Sequence, residues 1–139
     1  MASNGRIAPR FVYVEDDEMS RMVMSITLTE VLGYSELHML GDSVNFMERL
    51  NQLAHAPTVI FLDVQIRPHD GFELLRMLRA DARYSATTVI AMTANVMSND
   101  VAHLRASGFS GLIGKPIVQD IFPALIEKIL AGEPVWYIP

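Results

Sequence analysis

The feature that most constrains the fold is a short apolar run that ends on a carboxylate. Residues 58–63 read Thr-Val-Ile-Phe-Leu-Asp and follow Pro57. A run this short, rich in β-branched side chains, is typical of a strand buried on both faces. In an open parallel α/β sheet, the carboxyl ends of the strands border the crevice where ligands bind. Asp63 is therefore the candidate reactive group.

Four further short apolar segments alternate with helical patterns along the chain. They lie at residues 11–14, near 37–39, at 88–93 and at 111–114. Apolar residues at helical spacing predict a helix after each strand, the fourth over residues 97–107 and the fifth over residues 117–130. Strands and helices that alternate in this way predict an α/β fold, with a doubly wound, five-stranded parallel sheet and helices on both faces.

Several local expectations concern these helices. The second helix is expected to start from a cap at Asp42 or Ser43. On the third helix, Arg76 and Arg79 are expected on the exposed side, and the final helix is expected to pack through residues that include Ile121. The fourth helix carries few large apolar side chains, so we expect it to be the least firmly packed and the most easily moved.

Length and charge exclude several classes of protein. A length of 139 residues is typical of a single domain. We divide the chain into a flexible start (1–9), a folded domain (10–131) and an apolar tail (132–139). A net charge of −5 argues against a nucleic-acid-binding surface. Without cysteine, a signal-peptide core or an apolar run of membrane-spanning length, the chain is expected to be cytoplasmic, with no contact to a membrane.

Chemically distinctive side chains follow four of the predicted strands. They are Glu15, Asp16, Asp17, Asp63, Thr93 and Lys115. Because parallel strands bring their carboxyl ends to one edge of the sheet, these groups are expected to share one crevice. Carboxylates that lie this close repel one another unless a cation joins them, and oxygen ligands without His or Cys select a hard ion. Mg²⁺ fits best, because it needs only one or two carboxylates.

A carboxylate in this setting can act as a nucleophile toward phosphorus, because aspartate is known to form acyl phosphates. Mg²⁺ and Lys115 would then neutralise the oxygens of the transferred group, and Thr93 would donate a hydrogen bond to one of them. The predicted chemistry is phosphoryl transfer to Asp63.

At this point the chain resembles a known family, the response-regulator receiver domains, of which CheY is the type. The resemblance rests on Val-Glu-Asp-Asp-x-x-x-Arg from residue 14, Leu62-Asp63 followed by Asp70-Gly71, Met92-Thr93-Ala94 and Gly114-Lys115-Pro116. It covers residues 11 to about 130. Each fragment alone is weak, whereas all of them in this order make a specific match.

The resemblance implies a fold and a set of roles. It implies a flavodoxin-like sheet of strand order 2-1-3-4-5. Asp63 corresponds to the phosphoacceptor, Glu15 and Asp16 to the metal pair, and Gln65 to the residue whose backbone carbonyl completes the Mg²⁺ site, where Mn²⁺ can substitute. Thr93 corresponds to the switch hydroxyl and Lys115 to the phosphate partner. Pro116 is implied to follow a cis peptide bond.

The resemblance also implies partners. A sensor histidine kinase or a histidine phosphotransfer protein would supply the phosphoryl group, so the chain would be a signalling phosphoprotein of a two-component system rather than an enzyme. Because the sequence stops soon after the fifth helix, we expect a stand-alone receiver. Its output would be a protein bound on the face formed by the fourth helix, the fifth strand and the fifth helix.

Two positions depart from the family pattern, and three more are expected to adjust metal affinity or the loss of the phosphoryl group. Arg67 stands where the family usually has proline, and Leu112 stands where it usually has an aromatic residue that swings inward with the switch hydroxyl. Asp17 adds a third acid that is expected to tune metal affinity. By family analogy, Asn95 and Gln65 border the crevice and tune the rate at which water removes the phosphoryl group.

Two other functions and two roles for the tail stay open at this stage. A degenerate receiver would bind partners without phosphorylation, and the altered loop at Arg67 is consistent with that alternative. A phosphatase of the haloacid dehalogenase type needs a second acid two residues after the nucleophile, where Gln65 stands. The apolar tail, residues 132–139, is expected to fold back over an apolar patch, with a docking or homodimer segment as the alternative.

Overall fold

The structure is a computed structural model that describes residues 8–139, without the side chains of residues 98 and 99. Of the predicted flexible start, residues 1–7 lie outside the described residues. No helix in the described part of the chain has the length and apolar character needed to cross a membrane.

The described residues form one parallel sheet of six strands, in the order β2-β1-β3-β4-β5-β6. The strands are β1 (Arg10–Val14), β2 (Glu36–Leu40), β3 (Val59–Asp63), β4 (Thr88–Thr93), β5 (Gly111–Gly114) and β6 (Trp136–Tyr137). The predicted fold class and the order of the first five strands are therefore confirmed. The predicted count of five strands is wrong, because part of the tail pairs with β5 as a sixth strand.

Five α-helices connect the strands. They are α1 (Glu18–Ser25), α2 (Phe46–Asn51), α3 (Gly71–Ala80), α4 (Ser98–Ser107) and α5 (Phe122–Leu130). A π-helical segment, Ile26–Val31, continues α1 before β2. Side-chain caps fix two of the helix starts: Asp17 accepts a hydrogen bond from the Ser20 amide at α1, and Asp70 forms a capping box with Glu73 at α3.

The helices form two layers. Helices α1 and α5 pack on one face of the sheet, and α2, α3 and α4 pack on the other. The central strand β3 is buried along its whole length, which explains its unbroken apolar sequence. In α4 only Leu104 is fully buried among the described side chains, which agrees with the expectation of a loosely packed helix.

Three local expectations about the helices are wrong. The residue before α2 is Asn45, at φ 49°, rather than Asp42 or Ser43, and its side chain makes no capping hydrogen bond. Helix α5 begins at Phe122 rather than at residue 117, because Pro123 lacks an N–H and fits only the first turn of a helix. Ile121 therefore precedes the helix and is 37% exposed.

Arg79 is also not on the exposed side of α3. Its guanidinium donates hydrogen bonds to the carbonyls of Thr87 at 2.8 Å and Gly108 at 3.2 Å, and to Ser110 Oγ at 3.3 Å. These acceptors belong to the segments that lead into β4 and β5. Arg79 therefore ties the end of α3 to the amino-terminal edge of the sheet, whereas Arg76 is exposed.

Candidate functional site

The predicted site residues meet at the carboxyl edge of the sheet. Glu15 and Asp16 follow β1, Asp63 and Thr93 end β3 and β4, and Lys115 follows β5. Asp63 is 6% exposed and Thr93 is 2% exposed, while Asp16 reaches solvent. The parallel register brings the ends of these strands together, because Val14 lies opposite Leu62 and Asp63 lies opposite Met92.

Three of these side chains form a carboxylate cluster. One oxygen from each of Glu15, Asp16 and Asp63 lies within 4.8 Å of the other two. Three carboxylates beside a single ammonium group leave an excess of negative charge, and oxygen is the only donor type that they offer. The cluster therefore fits a hard divalent cation such as Mg²⁺.

Lys115 lies inside this cluster. Its Nζ is 2.5 Å from Glu15 Oε1 and 3.7 Å from Asp63 Oδ1. The Lys115 amide also donates a hydrogen bond to the Thr93 carbonyl at 2.8 Å, and its peptide bond to Pro116 is cis, as the family resemblance implied. The ammonium group therefore pairs with Glu15 and also lies within ion-pair distance of Asp63.

Three donors, namely Lys115, Tyr13 and the Asp17 amide, keep Glu15 ionised although its side chain is fully buried. Burial alone would raise the pKa of Glu15, but the hydrogen bonds from Lys115 and Tyr13 lower the pKa below its ordinary value. The Tyr13 hydroxyl donates to Glu15 Oε1 at 2.8 Å. Burial and the neighbouring Glu15 carboxylate raise the pKa of Tyr13, so the phenol stays protonated and remains a donor.

The pKa of Asp63 is shifted in the opposite direction. Burial, followed by the negative charge of Glu15, raises the pKa of Asp63 from 3.8 to about 6. A hydrogen bond from the Gln65 amide to Asp63 Oδ1 at 3.1 Å, together with the charge of Lys115, opposes that rise. A carboxylate that is this costly to ionise is an energetically favourable place for a cation.

The remaining predicted residues lie in different surroundings. Asn95 is exposed, and its backbone amide donates to Thr93 Oγ1 at 3.0 Å. Gln65 is exposed directly after β3, whereas Leu112 is fully buried in the core. Asp17 is occupied as the cap of α1, where it accepts from the Ser20 amide at 2.8 Å and from the Ser20 hydroxyl at 2.7 Å.

The loop after β3 is held by a residue from another loop. Arg67 is exposed and precedes Pro68 through a cis peptide bond. The buried hydroxyl of Ser43 donates to the His69 carbonyl at 2.7 Å and accepts from the His69 amide at 2.8 Å. The Ser43 amide also donates to the Arg67 carbonyl at 2.9 Å. These bonds fix the path of the loop that carries Gln65.

Sequence reasoning missed three contributors to the site: Tyr13, Arg21 and Ser43. Tyr13 lies on β1 two residues before Glu15, which directly follows the strand, so the alternation of a strand could have placed both on one face. Arg21 donates from Nη1 to the Glu15 carbonyl at 2.7 Å, and it occupies the Arg position of the motif that begins at Val14. Ser43 was expected only as a possible cap of the second helix, and its contact with the loop gave no signal because the partner lies 26 residues away.

Comparisons with known proteins agree with this geometry. The family model described as response regulator receiver domain matches residues 11–127. The chain is 30% identical over 123 residues to the polar-differentiation response regulator DivK of Brucella anthropi, covering 88% of this chain and 97% of that protein. It is 32% identical over 118 residues to DivK of Brucella ovis, covering 84% of this chain and 92% of that protein.

Solved structures show the same fold. The chemotaxis response regulator CheY4 of Vibrio cholerae superposes with a TM-score of 0.78 at 21% identity, over 88% of this chain and 99% of CheY4. A signal receiver domain of a signal transduction histidine kinase from Syntrophus aciditrophicus superposes with a TM-score of 0.76 at 23% identity, over 90% of this chain and 92% of that domain.

Proposed function

Because the chain belongs to the response regulator receiver domain family of two-component signalling, we propose that Asp63 accepts a phosphoryl group from a phosphohistidine of a sensor kinase or a histidine phosphotransfer protein. The observation that carries the proposal is the meeting of one carboxylate with an ammonium group, a hydroxyl and two further acids at a single sheet edge. Phosphoryl transfer needs this combination of a nucleophile and charge-stabilising groups.

In the proposed step, an ionised oxygen of Asp63 attacks the phosphorus atom of the phosphohistidine. The N–P bond breaks as the new O–P bond forms, and the electron pair of the broken bond returns to the imidazole nitrogen, which takes up a proton. The product is an acyl phosphate on Asp63 and a free histidine on the donor. The buried end of β3 holds the attacking oxygen in place.

Glu15, Asp16 and Asp63, with the backbone carbonyl of Gln65, would hold the divalent cation. When bound, Mg²⁺ supplies positive charge next to the phosphoryl oxygens. The fit rests on the carboxylate cluster, in which two of the three side chains are buried.

Lys115 and Thr93 would bind the transferred group from the other side. Lys115 Nζ already lies 3.7 Å from Asp63 Oδ1, so a small movement brings it to an oxygen of the new phosphoryl group. The Thr93 hydroxyl would donate to another of these oxygens. Since the Lys115 amide is bonded to the Thr93 carbonyl, the two residues are expected to move together.

We infer that the output of this movement is a change of the surface formed by α4, β5 and α5, on which a protein target binds. Thr93 leads into α4 and Lys115 leads toward α5, so both ends of that surface start at the site. The loose packing of α4 makes two alternative positions accessible to it.

The deciding experiment is phosphorylation by acetyl phosphate with Mg²⁺, followed by intact-protein mass measurement. The unchanged chain should gain one phosphoryl group, and Asp63→Asn should gain none. Asp42→Asn is the matched control, since Asp42 lies in an exposed loop and should be modified like the unchanged chain. Uptake by Asp63→Asn would show that the acceptor is another residue, and failure of the unchanged chain to react would favour binding without phosphorylation.

A further inference from the structure

The short strand β6 lies on the surface assigned above to a partner. It pairs in parallel with β5, so that Leu112 lies opposite Trp136 and Ile113 lies opposite Tyr137. The Leu112 amide donates to the Val135 carbonyl at 2.8 Å, and Val135 is 4% exposed. The edge of β5 therefore already carries an extended apolar segment, supplied by the chain itself.

Two glycines of β5 make room for this segment. A Cβ added at Gly111 would overlap the Val135 carbonyl oxygen, which is backbone and cannot turn away. A Cβ added at Gly114 would lie 2.7 Å from Pro139 Cδ. The edge of β5 is thus shaped for the close approach of another backbone.

The same segment contacts the parts that are proposed to move on phosphorylation. The Arg105 guanidinium of α4 lies 4.1 Å from the centre of the Trp136 ring, a cation–π contact. A Cβ added at Gly114 would also lie 3.0 Å from Val96 Cγ1, in the loop between β4 and α4. Gly114 precedes Lys115 and touches both that loop and the tail, so a shift of Lys115 is expected to disturb the tail.

The tail forms a short strand with an exposed end. Only Trp136 and Tyr137 form the strand, both are half-buried, and Ile138 is 46% exposed. A strand of two residues adds few backbone hydrogen bonds, so the tail is held mainly by the burial of Val135, the partial burial of Trp136 and Tyr137, and the contact with Arg105.

We propose that the edge of β5 is a strand-accepting surface, which residues 135–138 occupy in the resting chain and which an extended apolar segment of a partner protein occupies after phosphorylation. This inference rests on the proposed function for its trigger. The tail itself shows the chemistry that fits. Val135 and Tyr137 pack toward the core beneath α5, while Trp136 packs toward α4 and its cation. A partner segment should therefore carry an aliphatic side chain at the position of Val135 and an aromatic side chain at the position of Trp136. At the position of Tyr137 it should carry an aliphatic or an aromatic side chain.

Trp136 reports directly on this exchange because it is the single tryptophan of the chain. Acrylamide quenching of its fluorescence is measured on the full chain before and after treatment with acetyl phosphate and Mg²⁺, with intact mass recorded on each sample. We expect quenching to rise in step with the phosphorylated fraction. A phosphorylated chain with unchanged quenching would overturn the inference and leave the proposed function intact.

The surface is tested separately with a synthetic peptide of residues 133–139. In the Trp136→Ala chain the peptide carries the single tryptophan of the mixture, so its fluorescence anisotropy measures binding. We expect saturable binding that tightens about tenfold on phosphorylation, a common size for coupling between two sites. Absence of binding to the unphosphorylated and phosphorylated Trp136→Ala chain would overturn the strand-accepting surface, whether or not Asp63 is the phosphoacceptor.

Point variants separate the surface from the tail. Gly111→Ala should raise the quenching of Trp136 without phosphorylation, because the new methyl group meets the Val135 carbonyl. Arg105→Gln, on the exposed face of α4, should do the same without touching the core. Glu133→Gln is the control, because Glu133 is exposed and precedes the residues that occupy the surface, and it should leave quenching unchanged. If quenching instead follows protein concentration together with a dimeric mass, the tail is exchanged between two copies, and the inference is wrong.

Discussion

The Lys115 ammonium group lies closer to Glu15, at 2.5 Å, than to Asp63, from which it is 3.7 Å away. The ammonium group therefore balances the buried Glu15 carboxylate, while the pKa of Asp63 stays raised. Addition of a phosphoryl group to Asp63 would offer Lys115 a more negative partner. Glu15 would then need another positive partner, and the divalent cation of the proposed site would supply it.

Removal of this ammonium group should destabilise the metal-free fold. In Lys115→Met the fully buried Glu15 carboxylate loses its charged partner, which is expected to lower the free energy of unfolding by about 3 kcal/mol. The measurement is urea unfolding with a chelator present. Lys128→Met is the control, since that lysine lies on the exposed side of α5. Equal losses in the two variants would show that the Glu15 contact contributes no net stability.

The pH dependence of stability should show the raised pKa of Asp63. The folded chain binds this proton more tightly than the unfolded chain, whose carboxyl titrates near 3.8, so protonation favours the folded state. Ionisation of Asp63 therefore lowers the stability of the folded chain. This loss of stability is fully present above pH 6 and disappears as the pH falls toward 4. Because each pKa unit corresponds to about 1.4 kcal/mol, the loss amounts to up to ~3 kcal/mol.

Asp63→Asn supplies the comparison for this prediction, because it keeps the shape and removes the titrating group. With a chelator present, the free energy of unfolding of the unchanged chain should fall, relative to that of Asp63→Asn, as the pH rises from 4 to 6. Mg²⁺ should reduce the difference above pH 6. Parallel curves for the two proteins would contradict the assigned shift.

Ser43 should stabilise the loop that follows Asp63. In Ser43→Ala, the amide and the carbonyl of His69 lose their shared partner, and the expected loss is about 2 kcal/mol. Ser85→Ala is the control, since that hydroxyl is exposed and its bond to Ala82 is 3.5 Å long. Because Gln65 lies in the same loop, Mg²⁺ affinity measured by calorimetry should also fall in Ser43→Ala and stay constant in Ser85→Ala.

Arg79 should matter far more than its neighbour Arg76. Arg79→Met removes the donors to Thr87, Gly108 and Ser110, and the expected loss in the free energy of unfolding is about 2 kcal/mol. Arg76→Met should stay within about 0.5 kcal/mol of the unchanged chain, as is usual for an exposed residue. Thermal or urea unfolding of the two variants decides the matter, and similar values for both would refute the structural role of Arg79.

Thr93 should be needed for the response more than for the reaction. In Thr93→Ala, phosphoryl uptake should slow by less than about tenfold, the scale of one hydrogen bond, while the quenching response of Trp136 should be lost. Thr93→Ser should restore the response, because serine keeps the hydroxyl. Thr88→Ala, at the start of the same strand, is the control. A normal response in Thr93→Ala would remove Thr93 from the switch.

The site was predictable because it depends on strand ends. Apolar runs locate the ends of β3 and β4 to the residue, since both strands are buried and stop at a polar side chain. Parallel topology then brings Asp63, Thr93 and Lys115 together from distant parts of the sequence. Local composition and one topological rule were sufficient for this part.

The features that sequence reasoning missed depend on contacts between distant segments. The pairing of Trp136 with β5 is set by the space above Gly111 and by the contact with Arg105, neither of which a local pattern reports. The bond between Ser43 and the loop near His69 joins two turns whose relative position is known only once the sheet is formed. The start of α5 was readable from Pro123, but the longer run of apolar residues before it suggested more helix.

The sixth strand also changes which part of the sheet is open to self-association. Without it, β5 would expose a row of unpaired backbone groups between two glycines, with no charged side chain inside the strand to discourage a second sheet. Such an edge is a template for aggregation. The chain covers this edge with a strand of only two residues. The sheet edge that remains exposed is therefore shorter, and the risk of aggregation is lower.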